Sequence, residues 1–250
     1  MLERHKKIPN TYHIGLGCSF GESNHSVHKH IAKNLNAQLI NLSRGGHGNY
    51  RILTELIAWI NSHSKDINKT TVSIGWSSLY RNDIIENIEK SYRTCGMFKW
   101  KVWSANRKDD PVVKAYPKID IIVDHMIRYR VLITATQNFL ENHNIKYVMY
   151  NALNNYFDME IWKKDAVKLK VMEKAINFNK FYKFDDCQAK FINKNQYWLD
   201  PSPRNSLLNA ISWTNDPFFK VKDTHPSQEG NKKWADLVWN FCKKKKIFKE

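Results

Sequence analysis

The stretch "HIGLGCSFGES", residues 13–23, decides how the chain is read. A short apolar run stops at glycines, and Ser19 then stands between Cys18 and Phe20. That is where a first β-strand would turn into a helix. A serine there is either part of an ordinary turn or a nucleophile held up to solvent. Working outward, "YHIGLG" (12–17) reads as a buried strand and "SVHKHIAKNLN" (26–36) as a helix. "AQLINLS" (37–43) reads as a second strand. "GNYRILTELIAWINS" (48–62) is helical, with Ile52, Leu53, Leu56, Ile57 and Ile60 at helical spacing. "TTVSIGW" (70–76) is a third strand and "IKYVMYNA" (145–152) a fourth.

Between the last two strands, residues 118–143 carry an apolar stripe of Ile119, Ile122, Met126, Tyr129, Ile133 and Leu140, interrupted by Thr136. A final helix starts near Ser227, a good N-cap, and is expected to bury Trp234, Leu237, Val238 and Phe241. Strands alternating with helices imply an α/β fold, with a parallel sheet covered on both faces. Residues 77–117 and 153–222 break the alternation. They are polar and aromatic-rich, and are expected to be insertions over one edge of the sheet within a single domain spanning 1–250. Ligands in such folds bind beyond the carboxyl ends of the strands, where each glycine-containing turn lies.

Composition bounds the rest. A chain of 250 residues with 42% apolar content supports one sizeable core. Cys18, Cys95, Cys187 and Cys242 show no paired spacing, so free thiols in a reducing compartment are expected. The start "MLERHKKIPN" has no apolar h-region, and no run approaches the roughly 18–20 apolar residues that span a bilayer. The expectation is a cytoplasmic protein without a membrane span. The net charge of +16 attracts polyanions. Lysines are spread along the chain, however, and the run "KKKK" at 243–246 suits a solvated helix end, so nucleic-acid binding is expected to be non-specific. His25, His28 and His30 have no carboxylate or cysteine at ligand spacing, and no metal is expected.

Four turns carry the chemistry: Gly17-Cys18-Ser19-Phe20-Gly21, "NLSRGGHGN" (41–49), "IGWSSLYRND" (74–83) and "KDTHPSQEGNKKWA" (222–235). A nucleophilic serine needs a base, a group that orients the base, and donors for the oxyanion. His225 supplies a base and Asp223 an orienting carboxylate. Glycines after the first two strands leave backbone N–H groups uncovered. The wording of these turns resembles the SGNH (GDSL-type) hydrolase superfamily and is similar to uncharacterised SGNH-like proteins of bacteriophages. Such an origin would place the chain in a host cytoplasm or a virion. Gly17-Cys18-Ser19 matches the family's G-D-S turn. "NLSRGG" matches its N-x-G-x-x-G-like block at Asn41 and Gly46, with Ser43 at the first glycine. "DTHPSQEG" matches its closing Asp/His block.

The resemblance implies a flavodoxin-like three-layer α/β/α sandwich that hydrolyses small esters, O-acylated carbohydrates among them. It implies a triad of Ser19, His225 and Asp223, an oxyanion hole including Gly46, and no cofactor. The sequence departs from the pattern in three places. Cys18 replaces the aspartate before the serine. One residue, not two, separates Asp223 from His225, which leaves Asp216 and Asp186 as alternative orienting groups. The usual block-three asparagine is missing, and Ser77, Asn82 and Asn49 are the candidates for its role. Asn49 also reads as a helix cap, and Arg81 as an ion-pair residue. Arg81 and Trp76 are candidate substrate contacts. Two other readings use the same residues: an acyltransferase in which a sugar hydroxyl replaces water, and a non-catalytic scaffold that binds a polyanion or a protein. The oligomeric state is open.

Overall fold

The computed structural model describes residues 11–22, 26–45, 47–77, 81–86, 99–104, 121–152, 174–187 and 228–248; along 81–86, 99–104, 121–126 and 183–187 it describes the backbone. In chain order the elements are β1 (Tyr12–Gly17), α1 (Ser19–Glu22), α2 (Val27–Asn34), β2 (Gln38–Asn41), α3 (Asn49–Ser62), β3 (Thr70–Trp76), β4 (Arg81–Glu86), β5 (Lys99–Ser104), α4 (Ile121–Asn142), β6 (Lys146–Asn151), β7 (Phe181–Cys187) and α5 (Gln228–Lys244). A 3₁₀ turn, Ser64–Lys69, leads into β3.

The central sheet has the order β2–β1–β3–β6–β7 and every neighbouring pair is parallel. This is the flavodoxin-like order, with β6 and β7 as its fourth and fifth strands. The α/β expectation is met, and the four strands read from the sequence are all in the sheet. The fifth, β7, comes from within the stretch 153–222 that reads as an insertion. Its segment "FYKFDDC" ends in charge and lacks the apolar run of a buried strand. It lies at the sheet edge, where its register with β6 shifts between Tyr150 and Asn151. Within 77–117, β4 and β5 pair antiparallel as a separate two-stranded sheet.

The two faces of the sheet differ. On one, Ile14 and Leu16 of β1, Val72, Ile74 and Trp76 of β3, and Tyr147 and Met149 of β6 pack under α3 and α4. Ile52, Leu56 and Ile60 of α3 and Tyr129, Leu132, Ile133 and Leu140 of α4 complete that layer. Thr136, the interruption in the α4 stripe, is buried with it, because its hydroxyl donates to the Leu132 carbonyl (2.7 Å) and so presents no unpaired polar atom. On the other face, Val148, Tyr150 and Tyr182 pack against Trp234, Val238 and Cys242 of α5 and Val27 and Ile31 of α2. The Trp234 ring meets Tyr182 edge-on at 5.1 Å. The expected core face of the last helix is corrected at Leu237, which is 38% exposed; Cys242 takes the inward position one turn beyond Val238.

Toward α2, β1 and β3 present His13, Gly15 and Gly17 beside Thr71, Ser73 and Gly75. These are the alternate positions of strands whose other residues are apolar. The missing side chains let α2 approach. A Cβ on Gly15 would lie 2.5 Å from the Cβ and Cγ of His28. A Cβ on Gly75 would lie 2.8 Å from the Tyr150 hydroxyl. His13 and His28 are completely buried in this layer, with Ser73 Oγ between them at 2.7 Å and 2.6 Å. His30, two residues on, turns away to Asp236 of α5 (3.3 Å).

Burial lowers the His28 pKa from 6.5 to about 3. It also holds His13 well below its ordinary value, with His28 nearby adding to the effect. The unfolded chain takes up these protons near pH 6.5, and the folded chain at a far lower pH. The stability that depends on neutral histidines is therefore full above pH 6.5 and lost as the pH falls, by about 1.4 kcal/mol per pH unit for each histidine. Thermal midpoints measured from pH 7.5 down to 4.5 should drop accordingly. A His13→Asn/His28→Asn double variant should start lower at pH 7.5 but show a shallower slope.

Candidate active site

The site is built where β1, β2 and β3 end. β1 runs directly into α1, and the N–H of Gly21 donates to the Cys18 carbonyl (2.9 Å), closing a tight turn. Cys18 and Phe20 point into the layer under α2 and α5 and are buried. Ser19, held between these two anchors, is half-buried at the rim.

The segment after β2 is stitched to this turn. Its pairing with β1 continues past the strand, with Leu42 N–H to the Gly15 carbonyl (2.8 Å) and Arg44 N–H to the Gly17 carbonyl (3.2 Å). Asn41 Nδ2 donates to the Gly21 carbonyl (2.9 Å), while its Oδ1 accepts from Ser43 N–H (3.1 Å). The second bond is an Asx turn, the local geometry asparagine favours. Gly45 N–H donates to Glu22 Oε2 (2.9 Å). The chain leading to Gly46 is thus bonded to the Ser19 turn from both sides, and Gly46 itself lies outside the described residues. Glu22 had no signal in the sequence, because its partner is distant in the chain.

After β3, Asn49 and Ser77 prove to be partners. Both are buried. Asn49 Oδ1 accepts from Ser77 N–H (2.8 Å) and its Nδ2 donates to the Ser77 carbonyl (3.3 Å). The first residue of α3 therefore holds the end of β3 as a neighbouring strand would. Trp76 is placed differently from the sequence expectation. Strand alternation puts its side chain with Val72 and Ile74, fully buried under α4, where it meets the Tyr129 ring edge-on at 5.9 Å. In this position it offers no surface to a ligand. Arg81 and Asn82 open β4, and their side chains lie outside the described residues.

His225, Asp223 and Asp216 lie outside the described residues, and Asp186 is in β7. The helix that follows His225 is described. α5 packs on α2, with a groove of about 580 Å³ between them. Ser26, Lys29, His30 and Lys33 line one wall and Gln228, Glu229 and Lys232 the other. Burial lowers the His30 pKa; Asp236 opposes this, and Lys33 and Lys232 add to it. Cys18 and Cys242 are free thiols, and burial pushes the Cys242 thiol up to about 12. Among the described residues no three His, Cys, Asp or Glu side chains are grouped to hold a metal ion, and no helix is long and apolar enough to cross a membrane.

No protein-family profile matches this sequence, and no curated protein does. Solved structures similar to it include the psychrotrophic esterase EstA from Pseudoalteromonas sp., at 12% identity and a TM-score of 0.45, covering 94% of this chain and 97% of that one. TesA is similar at 10% identity and a TM-score of 0.47, covering 94% and 99%. A GDSL-like lipase from Bacteroides thetaiotaomicron is similar at 11% identity and a TM-score of 0.39, covering 94% and 89%.

The Asn49 clamp is open to a direct check. Asn49→Ala removes both bonds to the buried Ser77 backbone and should lower stability by about 2 kcal/mol, read from the urea midpoint at constant slope.

Proposed function

We propose that this chain is a serine esterase or acylesterase of the SGNH type. Ser19 Oγ attacks the ester carbonyl as His225 takes its proton. The tetrahedral intermediate collapses, and the departing alcohol receives that proton from His225. Water then cleaves the acyl-enzyme by the same route. Asp223 holds His225 in the required tautomer. The N–H groups of Ser19 and Gly46 face the oxyanion, with a further donor from Asn82 or from the Asn49–Ser77 pair. Each such donor contributes about 3–4 kcal/mol in comparable enzymes. The substrates are small esters, O-acylated sugars included. A sugar hydroxyl in place of water would give acyl transfer with the same residues.

One observation carries this reading. The turn bearing Ser19 and the turn leading to Gly46 are bonded to each other at the carboxyl end of a flavodoxin-like sheet, through Asn41 to Gly21 and Gly45 to Glu22. A nucleophile and an oxyanion loop need that juxtaposition. The groove between α2 and α5 favours a second reading, a non-catalytic scaffold for an anionic partner, because Lys29, Lys33 and Lys232 converge on it.

Reaction with a fluorophosphonate probe separates the two. The esterase reading expects labelling of wild type, no labelling of Ser19→Ala, and a loss of about 10⁶-fold in rate for His225→Ala. A folded wild type that takes up no probe overturns it. Salt-sensitive binding of a polyanion that Lys29→Glu/Lys232→Glu abolishes would then favour the scaffold.

A further inference from the structure

A hydrogen-bonded chain runs beneath the Ser19 turn. Thr71 Oγ1 lies 3.3 Å from the Tyr12 carbonyl, which can only accept. With its proton given to that carbonyl, it accepts from His13 Nδ1–H, 2.8 Å away. A neutral His13 then has a bare Nε2, which accepts from Ser73 Oγ–H (2.7 Å). Ser73 Oγ, its proton used, accepts from His28 Nδ1–H (2.6 Å). A neutral His28 is left with a bare lone pair on Nε2. Both imidazoles are fully buried, and burial keeps both neutral.

His28 Nε2 and Ser43 Oγ are buried atoms without a hydrogen-bond partner. They converge on one corner. A Cβ on Gly21 would lie 2.5 Å from the first and 2.4 Å from the second. A Cβ on Gly17 would lie 3.6 Å and 3.5 Å from the same two atoms. One atom is a bare acceptor and the other a hydroxyl with a proton to give. A buried polar atom left unpaired costs about 1–3 kcal/mol, so the two have every reason to meet. Gly17 and Gly21 flank Ser19 in sequence, and Ser43 belongs to the loop that leads to Gly46.

We propose that the chain runs in this direction and that the Ser43 hydroxyl, unbonded in the structure, turns to donate its proton to Nε2 of His28, which makes His28 the positioning residue that holds the Ser19 turn and the 41–45 loop from beneath. The positioning role rests on the reading of Ser19 as the nucleophile; the hydrogen bond does not. His28 touches no reacting atom. It acts by fixing the two turns against the polar face of β1 and β3, and a side chain at position 21 would occupy the corner on which the two atoms converge.

The test is ¹⁵N NMR of the histidines, run on wild type, Ser43→Ala and Ser73→Ala. Wild type should show His28 protonated on Nδ1 and bare on Nε2. Ser43→Ala, which removes one oxygen and leaves Ser73 in place, should keep that tautomer but shift the Nε2 resonance toward that of an unbonded acceptor. Ser73→Ala should let the proton move to Nε2. A wild-type His28 protonated on Nε2, or an Nε2 shift unchanged in Ser43→Ala, overturns the hydrogen bond. The second arm is the fluorophosphonate labelling rate, expected to fall at least tenfold in Ser43→Ala while the urea midpoint keeps the protein folded. An unchanged rate overturns the positioning role. If wild type takes up no probe, the positioning role falls with the esterase reading, and the NMR arm still decides the hydrogen bond on its own.

Discussion

The close approach of His28 to β1 is the contact on which the rest of this structure depends. A flat imidazole lies against a glycine, with the Cβ of α2 so near the strand that Gly15 has no room for a side chain. That approach sets the depth at which α2 sits, and α5 packs in turn on α2. It also forces a polar ring into a place where its nitrogens must find partners within the protein. Ser73 and, through it, His13 and Thr71 supply them. A parallel sheet covered on both faces is ordinarily apolar on both. Here β1 and β3 are apolar toward α3 and α4 and small or polar toward α2, and one buried histidine from a helix accounts for the difference.

The same small residues serve the sheet edge. Gly17 and Gly21 leave the β1–α1 turn thin enough for the segment after β2 to lie along it. Asn41, Gly45 and Glu22 then bond the two together. At β3 the task falls to Asn49, which satisfies the strand's last backbone groups with its side-chain amide. Three loops that would otherwise be independent become one surface, held by side chains with short reach and little conformational entropy to lose. Loops of this kind, mounted on a rigid sheet, are where α/β folds place their chemistry.

Charge is handled locally. His30 faces Asp236 across the α2–α5 groove, Glu229 pairs with Lys233 along α5, and Arg51 pairs with Glu55 along α3. Lys243 to Lys246 stay exposed at the end of α5, where positive charge suits the helix terminus. Among the described residues, Lys243 to Lys246 are solvated, and Lys29, Lys33 and Lys232 gather at the groove.

Much of the fold is legible in the sequence because period and composition are local quantities. β3 and α3 fall almost residue for residue where their periodicity places them, and the glycine turns mark the strand ends. β7 is not legible, since Lys183, Asp185 and Asp186 break the apolar run that a buried strand would show, although Phe181 and Tyr182 are buried. Of the candidate site, Ser19 and Asn41 stand out by their turns, yet the sequence treats Asn49 and Ser77 as alternatives when the fold makes them partners. Trp76 looks like a ligand contact from its neighbours and is core by strand parity. The histidines show the division most clearly. Spacing alone groups His28 with His25 and separates it from His30; it says nothing of Ser73, 45 residues away. The sequence by itself determined the parallel sheet, the turn that holds up Ser19 and the glycines that thin it. The tertiary structure alone decided which buried polar groups meet, because a hydrogen bond depends on a few ångströms of separation that no spacing along the chain contains.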